Sequence, residues 1–294
     1  MRILILGVSG LIGHKLYQKL KARFGDVHGT LHGDGAAFAW TRLFDGSNIF
    51  KNVDVRDFDA LEKNVLSKLQ PDVILNCAGL TKRRPEMNDI EQTIAVNALF
   101  PHRLARWAKD NGKRVIHFST DCVFDGSIGN YNEESPTTGK DLYGQSKAIG
   151  EIRYDHTLTI RSSFVGQELS FHSELLGWFL QQCGQTIKGF TNAWYTGIST
   201  IEMCRIVGDI IENQPKLNGL HQLSVTEPVS KYELLCMARD AYDFDVEIIP
   251  DGDFVIKPTL DSSLLRSKMD IVLPSWPEMI AGLAAEKEMY KTLS

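Results

Sequence analysis

The chain lacks the features that mark membrane-spanning and nucleic-acid-binding proteins. Apolar residues never continue for the roughly 20 positions that a transmembrane helix needs. No long basic run is present, and 32 basic against 37 acidic residues give a net charge of −5. The apolar start ends at His14 and Lys15 without a small-residue cleavage site, which argues against a secretion signal. We therefore expect a cytoplasmic protein with neither a membrane nor a nucleic acid as its partner.

The sequence also lacks the cysteine and histidine spacings of disulfide frameworks and metal sites. The five cysteines are an odd number, and no two of them form a CxxC pair. The eight histidines show no ligand spacing. We expect reduced, buried thiols and no bound metal.

Short apolar runs alternate with helical patterns through the first half of the chain. Residues 2–6 form an Ile-rich run without polar alternation, as in a strand that is buried on both faces. Further strands are predicted at residues 27–31, 48–55, 72–79, 114–120 and 157–166, and helices at 12–25, 58–69, 87–112 and 141–152. This alternation predicts an α/β fold with a doubly wound parallel sheet.

The alternation weakens after residue 166, where aromatic residues and irregular segments increase. A chain of 294 residues with 43% hydrophobic content can fill one large domain or two intimate ones. We predict a nucleotide-binding domain over residues 1–165, with a return segment near 200–224. A smaller substrate-binding lobe is predicted over residues 166–199 and 225–294.

The sequence GVSGLIG occupies residues 7–13, between the first predicted strand and the first predicted helix. A helix that begins there presents unpaired backbone N–H groups and the positive end of its dipole, which together attract a phosphate. Gly7 allows the tight turn, Gly10 lets the backbone approach the phosphate, and Gly13 lets the helix pack closely on the strand. The motif predicts a dinucleotide site, with a plain glycine-rich turn as the alternative.

The end of the second predicted strand lacks the acidic residue that usually holds the ribose of NAD. Thr30 and His32 stand at the expected tip, with Asp34 slightly later and Arg42 beyond it. Neutral or positive residues at this place admit a 2′-phosphate. The pattern favours NADP, and NAD remains the alternative because a strand end can be misplaced by two residues.

The sequence YGQSK places Tyr143 and Lys147 on one face of a predicted helix. A lysine ammonium within about 4–6 Å lowers the pKa of a phenol and makes it a usable proton donor. On its own this pair is more common on a helix surface. Ser119 and Thr120, however, end the fifth predicted strand, at the sheet edge where doubly wound proteins bind ligands.

Together these motifs resemble the extended short-chain dehydrogenase/reductase superfamily. The resemblance is carried by GVSGLIG, VDV (53–55), NCAG (76–79), VNA (96–98), FSTD (118–121), YGQSK and IRSSFVG (160–166). Within the superfamily the chain is most similar to the dTDP-4-dehydrorhamnose reductase group, whose STD motif is followed by an aromatic residue and VF. The sequence STDCVFDG departs from that pattern at Cys122, where the group usually has tyrosine.

The resemblance implies a Rossmann-type domain and NAD(P)H-dependent reduction of a nucleotide-linked 4-keto-6-deoxy sugar. It implies that Tyr143 is the proton donor, that Lys147 activates it and binds the ribose, and that Thr120 orients the keto oxygen. The cofactor-binding residues that it implies, besides Tyr143 and Lys147, are Gly7, Ser9, Gly10, Leu11, Ile12, Gly13, Asp54, Val55, Cys77, Ala78, Gly79, Thr81, Asn97, Ser162, Ser163 and Phe164.

Three further residues are candidates for contact with the substrate. Lys82 begins the sequence KRR directly after the fourth predicted strand, where a negatively charged nucleotide-sugar would arrive; a solvated surface cluster is the alternative. Trp194 and Tyr195 could stack on a base or sugar, with core packing as the alternative. We expect a nucleotide-sugar as the small-molecule partner and a homodimer as the assembly.

Two other functions remain open from the sequence. The related 4,6-dehydratases carry a glutamate at the place of Cys122, and a thiol is not a suitable acid there at neutral pH. A nucleotide-sugar epimerase is one alternative to the reductase. The other is a non-catalytic, cofactor-binding regulatory subunit, a use of this fold found in methionine adenosyltransferase; the presence of Thr120, Tyr143 and Lys147 argues against it.

Overall fold

The computed structural model describes the backbone of residues 1–293 and the side chains of residues 1–290. Its centre is a sheet of seven strands in the order β11-β6-β5-β4-β1-β2-β3, with every neighbouring pair parallel. Within the described residues the strands are β1 (Ile3–Leu6), β2 (Val27–Thr30), β3 (Ile49–Phe50), β4 (Val73–Asn76), β5 (Arg114–Ser119), β6 (Thr157–Arg161), β7 (Phe164–Val165), β8 (Thr186–Phe190), β9 (Trp194–Tyr195), β10 (Ile198–Ser199), β11 (Gly219–Gln222), β12 (Val229–Ser230) and β13 (Glu247–Asp251).

Helices cover both faces of this sheet and build the remainder of the molecule. In the same part of the chain they are α1 (Gly13–Phe24), α2 (Phe58–Leu61), α3 (Ser67–Leu69), α4 (Ile90–Thr93), α5 (Phe100–Asp110), α6 (Leu142–Ile149), α7 (Leu175–Phe179), α8 (Thr200–Asn213), α9 (Lys231–Tyr242), α10 (Ser263–Arg266) and α11 (Trp276–Ala285). Wider π-helical turns at Glu62–Leu66 and Ile94–Leu99 join α2 to α3 and α4 to α5. The two long helices that the sequence predicts here are therefore continuous but locally underwound.

The strand order reverses between β1 and β4. Strands β2 and β3 extend the sheet from β1 in one direction, whereas β4, β5, β6 and β11 extend it in the other. Chains that leave β1 and β4 at their carboxyl ends therefore diverge and open a crevice, which is the usual ligand site of such sheets. The predicted doubly wound α/β fold is confirmed.

The pattern of β1 explains why its sequence shows no polar alternation. Ile3 and Ile5 pack in a hydrophobic cluster with α1 and α8, whereas Leu4 and Leu6 pack in a second cluster with α5. All four side chains are fully buried, because helices cover the strand on both sides. This buried strand fixes the position of the glycine-rich turn that follows it.

The residues after β6 build three small two-stranded sheets, which pair β7 with β10, β9 with β12 and β8 with β13. The first hydrophobic cluster continues from β1 through α8 into α9 and α11. The two parts of the molecule therefore share one core. Strand β11 returns to the main sheet beside β6, but the predicted domain boundaries stay a prediction.

Two expectations from the sequence are wrong in detail. The third strand is only Ile49–Phe50 rather than residues 48–55, because Asn52 has a positive φ of 56° and turns the chain away. The five cysteines form no disulfide, but only Cys204 is buried; Cys183 is exposed, and Cys77, Cys122 and Cys236 are half-buried. Among the described residues, no helix is long and apolar enough to cross a membrane.

Candidate active site

The glycine-rich turn between β1 and α1 combines two structural glycines with one that the fold itself does not require. Gly7 has φ +82°, and a Cβ atom at Gly13 would lie only 2.1 Å from the Gly7 carbonyl oxygen. A Cβ atom at Gly10 would meet that oxygen at 3.6 Å, an ordinary contact. Gly7 and Gly13 are therefore needed for the turn and for helix packing, whereas Gly10 keeps the outer side of the turn open.

The N-terminus of α1 has the properties of an anion site. No side chain caps this helix, and its first turn holds no acidic residue, so its dipole faces the crevice without a protein counter-charge. The Gly7 N–H donates to Thr30 Oγ1 over 3.1 Å, and His14 Nδ1 donates to the Gly10 carbonyl over 2.9 Å. These bonds tie the two ends of the turn to β2 and to the first turn of α1.

Both carboxylates near the tip of β2 are already engaged by neighbouring groups. Asp34 accepts a hydrogen bond from the Ala36 N–H at 2.9 Å. Asp54 is bonded to Arg56, whose side-chain nitrogens lie 2.6–3.0 Å away, and this contact lowers the pKa of Asp54. His32 is exposed at the same edge. Asp54 is thus paired with a cation, whereas the partner of Asp34 is an uncharged backbone N–H group.

Close backbone contacts seat α6 against the carboxyl end of β5. Asp141 caps the helix and accepts from the Gly144 N–H at 2.8 Å. A Cβ atom at Gly144 would lie 2.2 Å from the Cys122 carbonyl oxygen, and one at Gly150 would lie 1.9 Å from the Asn97 carbonyl oxygen. Since only glycine permits both approaches, these two positions determine where the side chains of α6 reach the site.

Tyr143 on α6 and Thr120 after β5 both lie at this edge, close enough for the Thr120 hydroxyl to act on the titration of the phenol. Thr120 Oγ1 also donates to Asp121 Oδ1 and accepts from the Cys122 N–H, each over 3.1 Å. Burial raises the pKa of Tyr143, and the nearby Thr120 hydroxyl opposes that rise only in part. The phenol therefore keeps its proton at neutral pH and can act as a donor.

Lys147 lies on α6 one turn after Tyr143 but turns towards the sheet. Its amine donates to the Phe118 carbonyl over 2.7 Å. Burial lowers the pKa of Lys147 to about 8, although the charge of Glu151 opposes this change. Burial dominates the titration of the phenol in the protein without cofactor, so the lowering of the Tyr143 pKa by Lys147 stays a prediction.

The three cations of the sequence KRR each contact a partner, so they are not a freely solvated cluster. Lys82 pairs with Asp141 at 2.6 Å, and its Nζ atom lies 5.8 Å from the centre of the Tyr143 ring. Arg83 donates to the Ser173 carbonyl, and Arg84 stacks on the Phe171 ring at 3.4 Å. The structure brings Lys82 beside Tyr143, as a substrate-facing cation requires.

The two aromatic candidates of the second lobe differ in exposure. Tyr195 is 8% exposed, and its ring packs against Trp276 with the centroids 5.6 Å apart. Its ring thus follows the core-packing alternative, which leaves little of it for stacking. Within the described residues its buried hydroxyl has no hydrogen-bond partner. Trp194 is half-buried and remains the candidate for stacking.

The other predicted cofactor residues lie along the same crevice, but several are tied to the protein. Asn97 bonds both the N–H and the carbonyl of Leu80 at 2.9 Å and also reaches Ser146 at 3.2 Å, so it positions α6. Ser162 donates to the Leu223 carbonyl at 2.7 Å. Half-buried or exposed positions at the crevice are held by Ser9, Leu11, Val55, Cys77, Ala78, Gly79, Thr81, Ser163 and Phe164, whereas Ile12 is buried.

Comparison with known families decides the affiliation. The family described as the RmlD substrate binding domain matches residues 1–250. The chain belongs to this family. The resemblance predicted from the sequence motifs is thereby confirmed.

Three known proteins illustrate the range of the similarity. The structure of dTDP-4-dehydrorhamnose reductase from Bacillus anthracis in complex with NADP superposes with a TM-score of 0.79 at 18% identity, covering 97% of this chain and 99% of that one. Methionine adenosyltransferase 2 subunit beta of Danio rerio is 28% identical over 260 residues, 82% of this chain and 74% of that protein. The probable low-salt glycan biosynthesis reductase Agl14 of Haloferax volcanii is 28% identical over 207 residues, 67% of this chain and 66% of that protein.

A row of buried polar side chains under α6 in this RmlD-family chain was missed by the sequence reasoning. Ser119 Oγ donates to Glu151 at 2.8 Å, and Arg161 reaches both oxygens of Glu151 at 2.6 and 2.7 Å. Asn76 and His117 continue the row towards Lys147. The sequence signal that could have found this row is the alternation of side chains along a strand, because residues 117 and 119 of β5 point to one face of the sheet. Asn76 pairs with residue 117 and Arg161 with residue 119 on the neighbouring strands.

Proposed function

We propose that this protein is an NAD(P)H-dependent reductase of a nucleotide-linked 4-keto-6-deoxy sugar. The observation that carries the proposal is the placement of Thr120 beside Tyr143 at the carboxyl edge of the sheet, with Lys147 one turn after Tyr143 on α6. The glycine-rich turn lies on the same edge, because a Cβ atom at Gly7 would lie 3.1 Å from the Ala78 backbone. Proton donor and anion site therefore face one crevice.

The residues at this crevice fit a nicotinamide dinucleotide, which would supply the hydride. The N–H groups of residues 7–13 would hold the pyrophosphate, and Lys147 would reach a ribose hydroxyl. Asp54 is charge-paired with Arg56, and Asp34 stands four residues past the end of β2, so a 2′-phosphate would meet a cation at this edge and no acidic group directly at the strand tip. We therefore propose NADPH in preference to NADH.

The chain's own part in the reaction is to orient the keto oxygen and to protonate it. Tyr143 would donate a hydrogen bond to that oxygen, and Thr120 would donate a second one by turning its hydroxyl hydrogen away from Asp121, which together favour negative charge on it. Tyr143 then gives its proton to the oxygen as the carbonyl carbon is reduced. The raised pKa of Tyr143 ensures that this proton is present at neutral pH, whereas Cys122, whose pKa burial raises to about 12, stays a neutral thiol.

Substitution of the proton donor tests this proposal. Tyr143→Phe removes the hydroxyl and keeps the ring, so folding and NADPH affinity should survive. Reduction of a 4-keto-6-deoxy nucleotide-sugar should fall by about 10² to 10⁴, the scale of general acid catalysis. The half-exposed Tyr154 supplies the matched control Tyr154→Phe, which should retain full turnover. Equal turnover in all three proteins would refute the role of Tyr143.

One alternative has its own support. The similarity to methionine adenosyltransferase 2 subunit beta over 82% of this chain favours a non-catalytic, cofactor-binding subunit. The two functions separate in one pair of measurements on the wild-type protein. NADPH binding without turnover of any keto sugar in a dTDP-, UDP- and GDP-linked panel, together with binding to a methionine adenosyltransferase catalytic chain, would replace the reductase by the subunit. The epimerase alternative and the homodimer stay predictions.

A further inference from the structure

Two buried polar side chains lead from the edge of β4 to the amine of Lys147. Asn76 Nδ2 lies 3.1 Å from His117 Nδ1, and His117 Nε2 lies 3.5 Å from Lys147 Nζ. Asn76 and His117 are each 1% exposed, and Lys147 is 6% exposed. This arrangement leaves bulk water little access to either ring nitrogen.

The backbone fixes the orientation of the Asn76 amide. The Ala78 N–H, which can only donate, bonds Asn76 Oδ1 at 3.2 Å. The atom that faces His117 is therefore the amide nitrogen, which is also a donor, so His117 Nδ1 must accept. A neutral imidazole that accepts at Nδ1 carries its hydrogen on Nε2. His117 is neutral, since burial holds its pKa well below the usual value.

The hydrogen on Nε2 then points at the Lys147 amine. An ammonium group has three donors and no acceptor. One ammonium hydrogen is donated to the Phe118 carbonyl. A second ammonium hydrogen would face the Nε2–H group of His117, which is itself a donor and cannot accept it. A neutral amine, in contrast, has a lone pair that can accept from Nε2–H. The pair therefore disfavours the charged form of Lys147.

The other titratable groups around Lys147 act in known directions. Glu151, two residues past the end of α6, favours its charged form, and burial opposes it. Cys77 after β4 is a neutral thiol, because burial raises its pKa. His102 on α5 acts on His117, where it also favours the neutral imidazole. None of these groups reverses the donor-to-donor relationship between His117 and the ammonium.

We propose that Asn76 and His117 are positioning residues that present an N–H donor to Lys147, and that this donor eases the loss of the Lys147 proton. The consequence for catalysis rests on the proposed reductase function, because it concerns the amine that assists Tyr143. The effect on the protonation of Lys147 does not rest on the reductase function, since it is a property of the protein without cofactor or substrate.

An NMR titration of the full-length protein without ligands tests the proposal. In protein labelled with ¹³C at the lysine Cε atoms, the signal that disappears in Lys147→Arg belongs to Lys147. Asn76→Asp still accepts from Ala78 but also accepts from His117 Nδ1–H, so Nε2 becomes an acceptor for the ammonium. The Lys147 midpoint should rise from near 8 by about one pH unit or more. Asn218→Asp adds the same charge at an exposed residue before β11 and should leave the midpoint unchanged.

A second variant covers the case in which Asn76→Asp does not fold. His117→Gln can turn its amide oxygen to Lys147, and the midpoint should again rise. A midpoint that stays at the wild-type value or falls, in whichever of the two variants folds, overturns the proposal. Because no cofactor or substrate takes part, this result stands apart from any failure to find reductase activity.

Discussion

The amine of Lys147 donates a hydrogen bond to the backbone carbonyl of Phe118 across 2.7 Å, which ties the middle of α6 to the end of β5. The bond holds the amine one helical turn from Tyr143 and close to the carboxylate of Glu151, whose charge acts on it. A charged amine at this place is costly because the site is buried. The charge of Lys147 is thus the property of the site that responds most readily to pH.

Activity should therefore decline at alkaline pH through one group with a pKa near 8. Because the pKa of Lys147 is lowered to about 8, the amine is charged below that pH and neutral above it. A neutral amine neither supports negative charge on Tyr143 nor binds a ribose as firmly, so kcat/KM should fall above pH 8 rather than near the usual lysine value. The measurement is kcat/KM and NADPH affinity from pH 6 to 10.

The matched comparison for this decline is Lys147→Arg. A guanidinium stays charged throughout the range, so NADPH affinity in this variant should lose its dependence on pH near 8. A decline at the same pH in Lys147→Arg would assign the titration to another group.

The sequence predicted the parts of this site that depend on local pattern. GVSGLIG between a strand and a helix, Thr120 after β5 and the spacing of Tyr143 and Lys147 all lie where the motifs indicated. The direction of the Lys147 amine was not predictable, because it is set by the Phe118 carbonyl and by His117 across the sheet. The burial of Tyr195 likewise depends on Trp276, 81 positions later in the chain, which no local pattern reveals.

Glycine substitutions should separate cofactor binding from folding. Gly10→Ala places a Cβ atom at ordinary contact distance, and Gly10→Asp adds a carboxylate at the anion site, so both should fold. Each lost charge-assisted hydrogen bond of about 1.5–3 kcal/mol should lower NADPH affinity tenfold to a hundredfold. The loss of affinity should be larger in Gly10→Asp than in Gly10→Ala. Gly13→Ala, whose Cβ atom would lie 2.1 Å from the Gly7 carbonyl oxygen, should instead lower the free energy of unfolding by about 1–3 kcal/mol.

Calorimetric titration and urea unfolding measure the two effects. Gly252→Ala, after β13, is the control, because its Cβ atom would meet its nearest neighbours at 3.5 and 3.6 Å, and it should change neither quantity. If Gly10→Asp binds NADPH as tightly as the wild-type protein, the pyrophosphate does not bind at this turn.

Lys82 should affect the substrate and leave the cofactor alone. Its ion pair with Asp141 and its position beside the Tyr143 ring place its charge where the phosphates of a nucleotide-sugar would lie. Lys82→Ala should raise the substrate KM by tenfold to a hundredfold, the effect of losing about 1.5–3 kcal/mol, with NADPH affinity unchanged. Steady-state kinetics on Lys140→Ala, an exposed lysine 3.6 Å from Asp125, provide the comparison. An unchanged KM in both variants would show that Lys82 does not contact the substrate.

The buried ion pair of Glu151 and Arg161 should dominate the stability of the region under α6. Arg161 is fully buried, and two of its nitrogens bond Glu151 at 2.6 and 2.7 Å. Glu151→Leu leaves the guanidinium charged and uncompensated, so the free energy of unfolding should fall by about 3–5 kcal/mol. Arg153→Ala removes only a half-exposed partner of Glu151 at 3.4 Å, which should cost less than about 1 kcal/mol.

The double variant Glu151→Leu/Arg161→Met decides whether the loss comes from the stranded charge. Replacing both partners by apolar residues removes the uncompensated guanidinium, so the double variant should be more stable than Glu151→Leu alone. Urea unfolding of the four proteins gives the free energies. If the double variant is less stable than Glu151→Leu, the cost lies in lost packing around Arg161, which also stacks near the Phe124 ring, and not in the unpaired charge.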